Sequence, residues 1–239
     1  MQQKNLRWKR VLLKLSGETL SGKGKSGIDT EAGEYIAREV KAAADLGAEI
    51  AIVMGGGNFV RGSHLSKIGI DRATADYMGM LGTVINALAL QNLIEKQGIN
   101  TRVMTALTIT EVAEPFIRRR AMRHIEKGRV VIFAGGTGNP YFSTDTAAAL
   151  RASEIGAEAI LKATNVEGVY EEDPKKNGAA RMLEQINPLE VVQKGLKVMD
   201  LTAVTLAMEN KLPVIVFNVF TEGNLRKILC GEKIGSEIA

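Results

Sequence analysis

The sequence is poor in the residues from which many catalytic and metal sites are built. It has one cysteine, Cys230, and two histidines, His64 and His124, among 239 residues. A single cysteine cannot form an internal disulfide, and these three residues do not have the spacing of a zinc site. The composition therefore excludes a disulfide scaffold and a Cys/His metal centre, offers no Ser–His–Asp or Cys–His arrangement, and fits a reducing cytoplasm best.

Apolar runs are also missing where targeting signals would lie. Residues 1–10 are polar and basic, and no apolar stretch of signal-peptide or membrane-spanning length follows them. We therefore expect neither export nor membrane insertion, and a cytoplasmic location. The net charge of +4, from 31 basic and 27 acidic residues, suits small phosphorylated ligands but is too small to indicate nucleic acid.

The densest basic cluster lies in one short stretch and comprises Arg118, Arg119, Arg120 and Arg123. We expect it to form a solvated helix face or a subunit contact rather than a regulatory phosphate anchor.

Apolar runs alternate with helical patterns along the chain, which predicts parallel strands joined by crossover helices in an α/β protein. Strands are predicted at Arg10–Leu15, Glu49–Met54, Arg102–Leu107, Arg129–Ala134, Glu158–Ala163 and Val214–Val219. Helices are predicted at Glu31–Leu46, Ala73–Gln97 and Ile117–Lys127, followed by the possible C-cap glycines Gly47, Gly98 and Gly128. No linker or repeat divides the chain, so we expect one domain over residues 1–239, with a loop or small hairpin at Tyr170–Leu183.

Three glycine-rich turns follow predicted strands. Ser16-Gly17 follows the first strand, Gly55-Gly56-Gly57-Asn58 the second, and Gly135-Gly136-Thr137-Gly138-Asn139 the fourth. In a parallel sheet the carboxyl ends of the strands share one edge, where backbone N–H groups and helix N-termini bind anionic ligands. Glycine allows positive φ and lets backbone N–H groups approach a phosphate closely. Together the turns predict a phosphate-binding edge.

Two common nucleotide motifs are excluded. In the dinucleotide pattern G-x-G-x-x-G, Val60 and Tyr141 stand where the last glycine of each candidate would lie. The stretch Gly24-Lys25-Ser26 resembles the tail of a Walker A loop, but Thr19 occupies the position of its first glycine. A Rossmann dehydrogenase and a P-loop enzyme are therefore disfavoured.

Five stretches resemble the bacterial UMP kinases of the amino acid kinase family. They are Lys14–Glu18; Gly55–Asn58 with Arg61-Gly62; Asp76–Met80; Thr137–Asp145; and Lys162–Thr164 with Gly168–Tyr170 and Asp173-Pro174. The resemblance runs from about Lys9 to the last helix. It implies a three-layer α/β/α sandwich around a mostly parallel central sheet, with the UMP side in the N-terminal half and the ATP side in the C-terminal half. It also implies a homohexamer, inhibition by UTP and, in many members, activation by GTP.

The same resemblance implies a role for particular residues. Catalysis is assigned to Lys14, Arg61, Asp145 and Lys162. ATP contacts are assigned to Lys14, Leu15, Ser16, Gly17, Gly57, Arg61, Thr164, Asn165, Tyr170 and Asp173. UMP contacts are assigned to Gly56, Asp76, Thr137, Gly138, Asn139, Pro140, Tyr141, Phe142, Ser143 and Thr144. Mg²⁺ is expected to be held mainly by ATP oxygens, so no protein metal ligands are expected.

Physical arguments support several of these assignments. The phosphate of UMP is largely dianionic at neutral pH and can attack without a general base, which agrees with the shortage of histidines. Lys14, at the end of the first strand, can neutralise charge on the transferred group. Asp76 can accept hydrogen bonds from ribose hydroxyls, on a helix whose Met78, Met80 and Leu81 we expect to face the core. Ser143 or Thr144 can cap a helix over Thr146–Ile155, in which Asp145 could alternatively be a stabilising first-turn acid.

A regulatory region is indicated only by resemblance. The loop Gly22-Lys23-Gly24-Lys25-Ser26-Gly27 matches a segment near the GTP effector region of relatives, and Arg102 and Arg129 match effector contacts. The stretch Gln91–Glu95 lacks the arginine and histidine found there in GTP-activated relatives, so a response to GTP stays open.

Two alternatives also stay open. Another member of the family could act on acetylglutamate, aspartate, carbamate or isopentenyl phosphate, although a carboxylate substrate would need a dedicated basic residue in the acceptor pocket. A storage or sensor protein on the same fold is the second alternative. The presence of Lys14, Arg61 and Asp145 together argues against storage, which needs no transfer machinery.

Overall fold

A computed structural model describes residues 6–22, 24, 26–60, 65, 69–172, 177–196 and 198–239. Its main feature is a nine-stranded sheet in the order β4-β3-β5-β2-β1-β6-β10-β11-β9. These strands are β1 (Arg10–Leu15), β2 (Glu49–Met54), β3 (Thr101–Thr105), β4 (Glu114–Pro115), β5 (Val130–Ala134), β6 (Ala159–Thr164), β9 (Gln185–Ile186), β10 (Val214–Asn218) and β11 (Ser236–Ile238). Neighbouring strands are parallel except for the antiparallel pair β10 and β11.

Helices cover both faces of this sheet. They are α1 (Thr30–Ala44), α2 (Arg72–Lys96), α3 (Arg118–Glu126), α4 (Thr144–Ile155), α5 (Pro188–Gln193), α6 (Leu201–Glu209) and α7 (Asn224–Leu229). One core joins the sheet to α1, α2 and α7, and a second core joins it to α3, α4, α5 and α6. Successive residues of β1 enter opposite cores, Val11 and Leu13 on one side and Leu12 on the other. The three-layer arrangement with a mostly parallel sheet is confirmed.

The predicted elements agree closely with those observed. The bounds of β1 and β2 are the predicted ones, and the other four predicted strands and three predicted helices differ by at most two residues at an end. Gly47, Gly98 and Gly128 all have positive φ just beyond a helix, as expected for C-terminal caps. The hairpin predicted at Tyr170–Leu183 is present as the antiparallel pair β7 (Val169–Tyr170) and β8 (Met182–Leu183).

The orientation predicted for one residue of α2 is wrong. Met80 is buried and Met78 half-buried, but Leu81 is 48% exposed. Tyr77 and Ile85 are exposed at the same helical spacing, so α2 has an apolar outer stripe. By length and hydropathy α2 could cross a membrane, although half of its most apolar window is buried inside the fold.

The exposure of the basic cluster fits a solvated face, a subunit contact and a phosphate anchor alike. Arg118, Arg119, Arg120 and Arg123 are exposed on α3.

The first two glycine-rich turns contact each other through their backbones. A Cβ built on Gly17 would lie 2.3 Å from Asn58 Oδ1 and 2.8 Å from the Gly57 nitrogen. A Cβ on Gly57 would meet no atom within 4 Å, and Gly57 does not have positive φ. Glycine at position 17 is therefore required by packing, whereas position 57 has room for a side chain.

We predict that Gly17→Ala destabilises the protein. The added methyl overlaps backbone atoms of the neighbouring turn, so the free energy of unfolding should fall by about 1–3 kcal/mol. The thermal midpoint should then drop by roughly 2–10 °C, measured by scanning calorimetry. Gly57→Ala is the matched control and should change the midpoint little; equal midpoints for the two variants would contradict the packing argument.

Candidate active site

Two buried lysines and one carboxylate meet at the carboxyl edge of the sheet. Lys14 on β1 and Lys162 on β6 are direct neighbours in the strand register, and they are 8% and 9% exposed. Asp145, in the first turn of α4, lies between them. Its Oδ1 is 2.8 Å from Lys14 Nζ, and its Oδ2 is 2.5 Å from Lys162 Nζ. Three predicted catalytic residues are thus brought together in one ion-pair network with a net charge of +1.

The charges in this network shift the pKa of its members. Burial alone would raise the pKa of the Asp145 carboxyl, but Lys14 and Lys162 outweigh burial and hold it below its ordinary value. Burial lowers the pKa of Lys162, and the charge of Lys14 adds to this effect against the opposing pull of Asp145 and Asp200. The carboxylate therefore stays ionised throughout the neutral range.

A second carboxylate, Asp200, supports the network and was missed by the sequence analysis. It caps α6 by accepting a hydrogen bond from the Ala203 nitrogen at 3.0 Å, and it also accepts one from Thr146 Oγ1 at 2.9 Å. The hydroxyl of Ser143 donates to its other oxygen. The available signal was the N-cap pattern of an aspartate before the helical run at Leu201–Glu209.

Ser143 connects this support to the start of α4. Its hydroxyl oxygen accepts hydrogen bonds from the nitrogens of Asp145 at 2.9 Å and Thr146 at 3.1 Å. It is therefore the N-cap, and α4 begins at Thr144, two residues before the predicted start. The cap fixes the backbone that carries the central carboxylate.

A cleft of about 940 Å³ opens over the two lysines. Of the residues predicted to contact ATP or an effector, Lys14, Ser16, Gly57, Thr164, Asn165, Gly22, Gly24 and Ser26 line it, and so does Lys162. Leu15 does not face the cleft, because its side chain is in the core and its carbonyl accepts the Gly55 N–H at 2.8 Å. Gly17 is buried under the adjoining turn.

A second cavity of about 420 Å³ continues from this cleft and shares Lys162 and Thr164 with it. Tyr170 lines this cavity, together with Glu171, Lys194 and apolar side chains. The side chain of Thr164 is fixed there by a hydrogen bond from its hydroxyl to the main chain.

A third cavity, of about 210 Å³, lies on the other side of the glycine-rich turn after β2 and shares Gly57 and Val60 with the large cleft. Its lining includes Gly56, Asp76, Thr137, Phe142 and Thr144, all predicted UMP contacts. Within the described part of the chain, no acceptor takes the N–H groups of Gly57 and Thr137. The two cavities therefore meet at one backbone donor, Gly57, and a second donor, Thr137, lines the small cavity; both are suited to anions.

The remaining predicted UMP contacts, Gly138, Asn139, Pro140, Tyr141 and Ser143, belong to the same segment. Asp76 holds this segment against α2, because its Oδ2 accepts the Tyr141 N–H at 2.7 Å. Tyr141 has a φ of 72°, which is unusual for a residue with a side chain. Arg72, one helical turn earlier, contacts both oxygens of Asp76 at 3.0 and 2.9 Å.

The predicted regulatory residues do not form one group. Gly22, Gly24 and Ser26 border the large cleft, whereas Arg102 and Arg129 lie at the amino ends of β3 and β5, at the opposite edge of the sheet. Arg102 pairs with Glu95 and Glu114, and Arg129 Nη1 is 2.9 Å from His124 Nδ1. Arg61, Lys23, Lys25 and Asp173 lie outside the described residues.

A protein metal site is not indicated by the donor set. Among the described residues, no group of three or more His, Cys, Asp or Glu side chains could hold a metal ion. Asp145, the carboxylate at the junction of the cleft, has a lysine ammonium on each of its oxygens. A divalent ion here would have to arrive with a ligand that supplies most of its oxygens.

The fold and the site define an α/β protein whose carboxyl sheet edge suits anionic ligands, with two buried lysines lining the large cleft. Residues 9–218 match the model of the amino acid kinase family, and the chain belongs to this family. A protein of Arabidopsis thaliana named chloroplastic uridylate kinase PUMPKIN is 58% identical over 234 residues, which are 98% of this chain and 69% of that protein.

Solved structures of UMP kinases are also similar to the chain. A Bacillus anthracis UMP kinase has a TM-score of 0.94 at 42% identity, with 97% of this chain and 96% of that chain covered. A Ureaplasma parvum UMP kinase has a TM-score of 0.91 at 36% identity, with 98% and 100% covered.

We predict that Asp145→Asn destabilises the protein by about 3–5 kcal/mol near neutral pH, because it leaves two buried lysines without a counter-charge. The pKa of Asp145 is lowered on folding, so its ionised form stabilises the fold above the ordinary carboxyl range. That stabilisation is lost as the pH falls through the lowered pKa. Urea titrations at several pH values should therefore show a constant difference in the free energy of unfolding between wild type and variant above about pH 5. Below that pH the difference should shrink.

Asp45→Asn is the control for this experiment. Asp45 pairs with Lys41 on the surface of α1, where such a pair contributes about 0.5 kcal/mol or less. A difference for Asp145→Asn that is as small as this control, or that grows in acid, would contradict the role given to the network.

Proposed function

We propose that this protein is a UMP kinase, which transfers the γ-phosphoryl group of Mg·ATP to the phosphate of UMP and yields ADP and UDP, a step of pyrimidine nucleotide biosynthesis. The observation that carries the proposal is the meeting of a large and a small cavity at Gly57, next to Lys14, Lys162 and Asp145. Two nucleotides bound end to end would place their phosphates at this junction. The named relatives and structures are uridylate or UMP kinases, which supports the same substrates.

In this proposal the donor occupies the two cavities that share Lys162 and Thr164. Adenosine lies in the cavity lined by Tyr170, and the triphosphate lies in the large cleft over the lysines. Ser16, Gly57 and Asn165 border the phosphates there, and Arg61 and Asp173 complete the set. Mg²⁺ enters as part of the donor, held mainly by phosphate oxygens.

The acceptor occupies the cavity of about 210 Å³. Its phosphate faces the backbone N–H groups of Gly57 and Thr137, and Asp76 accepts hydrogen bonds from the ribose hydroxyls. A carboxylate acceptor fits less well, because the described lining carries an aspartate and neither lysine nor arginine. This contrast favours a nucleoside monophosphate over acetylglutamate or aspartate.

Catalysis rests on alignment and charge. Lys14 and Lys162 neutralise the charge on the transferred group and the leaving phosphate, while Asp145 holds the two ammonium groups in place. The acceptor phosphate is largely dianionic at neutral pH and attacks the γ-phosphorus directly, with its oxygen forming the new bond as the bond to the β-phosphate oxygen breaks. No residue needs to remove a proton.

We also propose a single domain, with the acceptor side in the N-terminal half and the donor side in the C-terminal half. A homohexamer with UTP inhibition and possible GTP activation is proposed from the family resemblance, with Arg102 and Arg129 as effector contacts. The exposed apolar stripe on α2 supports self-association of some kind. We propose the cytoplasm as the location, with the chloroplast as the alternative raised by the Arabidopsis relative, which is named as chloroplastic.

We predict that ATP turnover will be fastest with UMP in a coupled ADP-release assay across UMP, CMP, acetylglutamate and aspartate. Lys14→Ala should lower kcat by about 100-fold or more, on the order of 3 kcal/mol of lost transition-state stabilisation. Lys41→Ala, on the outer surface of α1, is the control and should keep normal turnover. Faster turnover with an amino acid would overturn the substrate assignment, and near-normal kcat for Lys14→Ala would overturn the catalytic one.

We predict that Asp76→Asn raises the KM for UMP more than the KM for ATP, because Asp76 lies in the acceptor cavity and 2.7 Å from the segment that lines it. Arg72→Gln is the matched control, since it removes the ion pair but leaves the carboxylate. Ribose recognition would be contradicted if Arg72→Gln raised the KM for UMP more than Asp76→Asn does. It would also be contradicted if Asp76→Asn raised the KM values for UMP and ATP equally.

A further inference from the structure

Helix α2 buries two polar side chains on its sheet-facing side. Thr83 is 1% exposed and Asn86 is fully buried. Burying a polar group costs free energy unless its hydrogen bonds are satisfied. The hydrogen-bond partners of these two residues therefore indicate which segments they fix in place.

The hydroxyl of Thr83 makes two hydrogen bonds. It donates to the Met80 carbonyl at 2.6 Å in its own helix, and it accepts the N–H of Gly135 at 2.7 Å. A hydroxyl has one proton to donate, so the second contact must be an accepted one. Gly135 opens the glycine-rich turn after β5, which continues into the segment Thr137–Thr144. Thr83 thus ties that turn to α2 across 52 positions of the sequence.

The same turn of α2 also contacts the glycine-rich turn after β2. A Cβ built on Gly56 would lie 2.4 Å from the Gly79 carbonyl oxygen and 3.0 Å from the Thr83 nitrogen. One helical turn, Gly79–Thr83, therefore contacts both glycine-rich turns, and all three surfaces line the cavity of about 210 Å³. The distance between the two turns across this cavity depends on how each is attached to α2.

Asn86, one turn further along α2, makes the corresponding contact to the glycine-rich turn after β2. Its Nδ2 donates to the Gly55 carbonyl at 2.8 Å and to Asn58 Oδ1 at 2.7 Å, while Asn58 Nδ2 donates to the Gly27 carbonyl at 2.7 Å. Asn58 lines the large cleft and not the small one. Thr83 thus fixes a turn at the small cavity, whereas Asn86 fixes a residue that lines the large cleft.

We propose that Thr83 is a positioning residue for the acceptor: its hydroxyl sets the place of the Gly135 turn, and through it the width of the acceptor cavity. This inference rests on the proposed function, in which that cavity holds UMP. If Thr83 had only a structural role, its substitution would lower the stability of the protein without a selective effect on the KM for either substrate. The KM values for UMP and ATP therefore distinguish the two roles.

The test compares Thr83→Val, which keeps the shape but loses the hydroxyl, with Thr83→Ser, which keeps the hydroxyl. Losing the hydrogen bond should raise the KM for UMP about tenfold and leave the KM for ATP within about twofold, whereas Thr83→Ser should restore the KM for UMP to within about threefold of wild type. Calorimetric titration with UMP should show the weakest binding for Thr83→Val, with Thr83→Ser close to wild type.

Thr101→Val is the matched control. Thr101 is equally buried and donates its hydroxyl to the Ile99 carbonyl at 3.2 Å, but it lies at the amino end of β3, away from the cavity. It should lower the thermal midpoint without changing either KM. Should Thr83→Val fail to fold, Thr83→Ala removes the same hydroxyl and carries the same expectation.

The outcomes separate this inference from the proposed function. If wild type neither binds nor phosphorylates UMP, the proposed function fails and the inference falls with it. If wild type uses UMP but Thr83→Val has an unchanged KM for UMP, or raises both KM values equally as a general loosening would, the inference alone is overturned.

Discussion

The structure depends above all on one buried carboxylate between two buried lysines. Lys14 and Lys162 are side by side on neighbouring strands, and two ammonium groups this close would repel each other strongly in a medium of low dielectric constant. Asp145 compensates this repulsion and leaves one net positive charge at the junction of the cavities. That residual charge, already desolvated and fixed, favours an arriving polyanion, because little reorganisation is needed when the ligand binds. The stability of the site and its positive charge thus depend on the same three side chains.

The fold brings these charges together from three distant parts of the sequence. The order β2-β1-β6 places the first strand in the middle of the sheet, so Lys14 has a neighbour on each side. Asp145 comes from the start of α4, where Ser143 caps the helix and Asp200 in turn holds Ser143. Asp145 is held by side chains from β1 and β6, and Asp200 at the start of α6 bonds Ser143 and Thr146 at the start of the helix that carries it.

Much of the fold could be predicted from local patterns. Runs such as Arg10–Leu15 and Glu49–Met54 are long enough for the apolar pattern to define a strand, and each long helix ends before a glycine. The strands β4, β7, β8 and β9 have two residues each, too few for any period to be visible, and they were not predicted individually. Leu81 was placed in the core because apolar residues usually are, but α2 is apolar around most of its circumference and periodicity could not identify its outer side.

The site was predictable only in part, for a different physical reason. Strand ends and glycines identify Lys14, Gly56 and Gly57 as candidates, but the neighbour relation between β1 and β6 is a property of strand order, which no local pattern contains. The grouping of Lys14 with Lys162 and Asp145 therefore came from resemblance to a family. Asp200 had only the weak signal of a helix cap, since its other partners, Ser143 and Thr146, are more than 50 positions away. Arg102 and Arg129 are assigned as effector contacts by the same resemblance as the Gly22–Gly27 loop, and they lie at the other edge of the sheet.

The charge pattern along the joined cavities also has a direction. Lysines line the large cleft, the backbone donor Gly57 lies where the two cavities meet, and the backbone donor Thr137 and the acidic side chain of Asp76 line the small cavity. An elongated ligand with a phosphate at one end and hydroxyls at the other is thereby oriented in a single way, phosphate towards the lysines. The described linings of the large cleft and of the small one contain no histidine, and a dianionic acceptor phosphate needs no general base. A site of this kind tolerates little movement of its walls, so the buried hydrogen bonds that fix the glycine-rich turns are as much a part of it as the lysines.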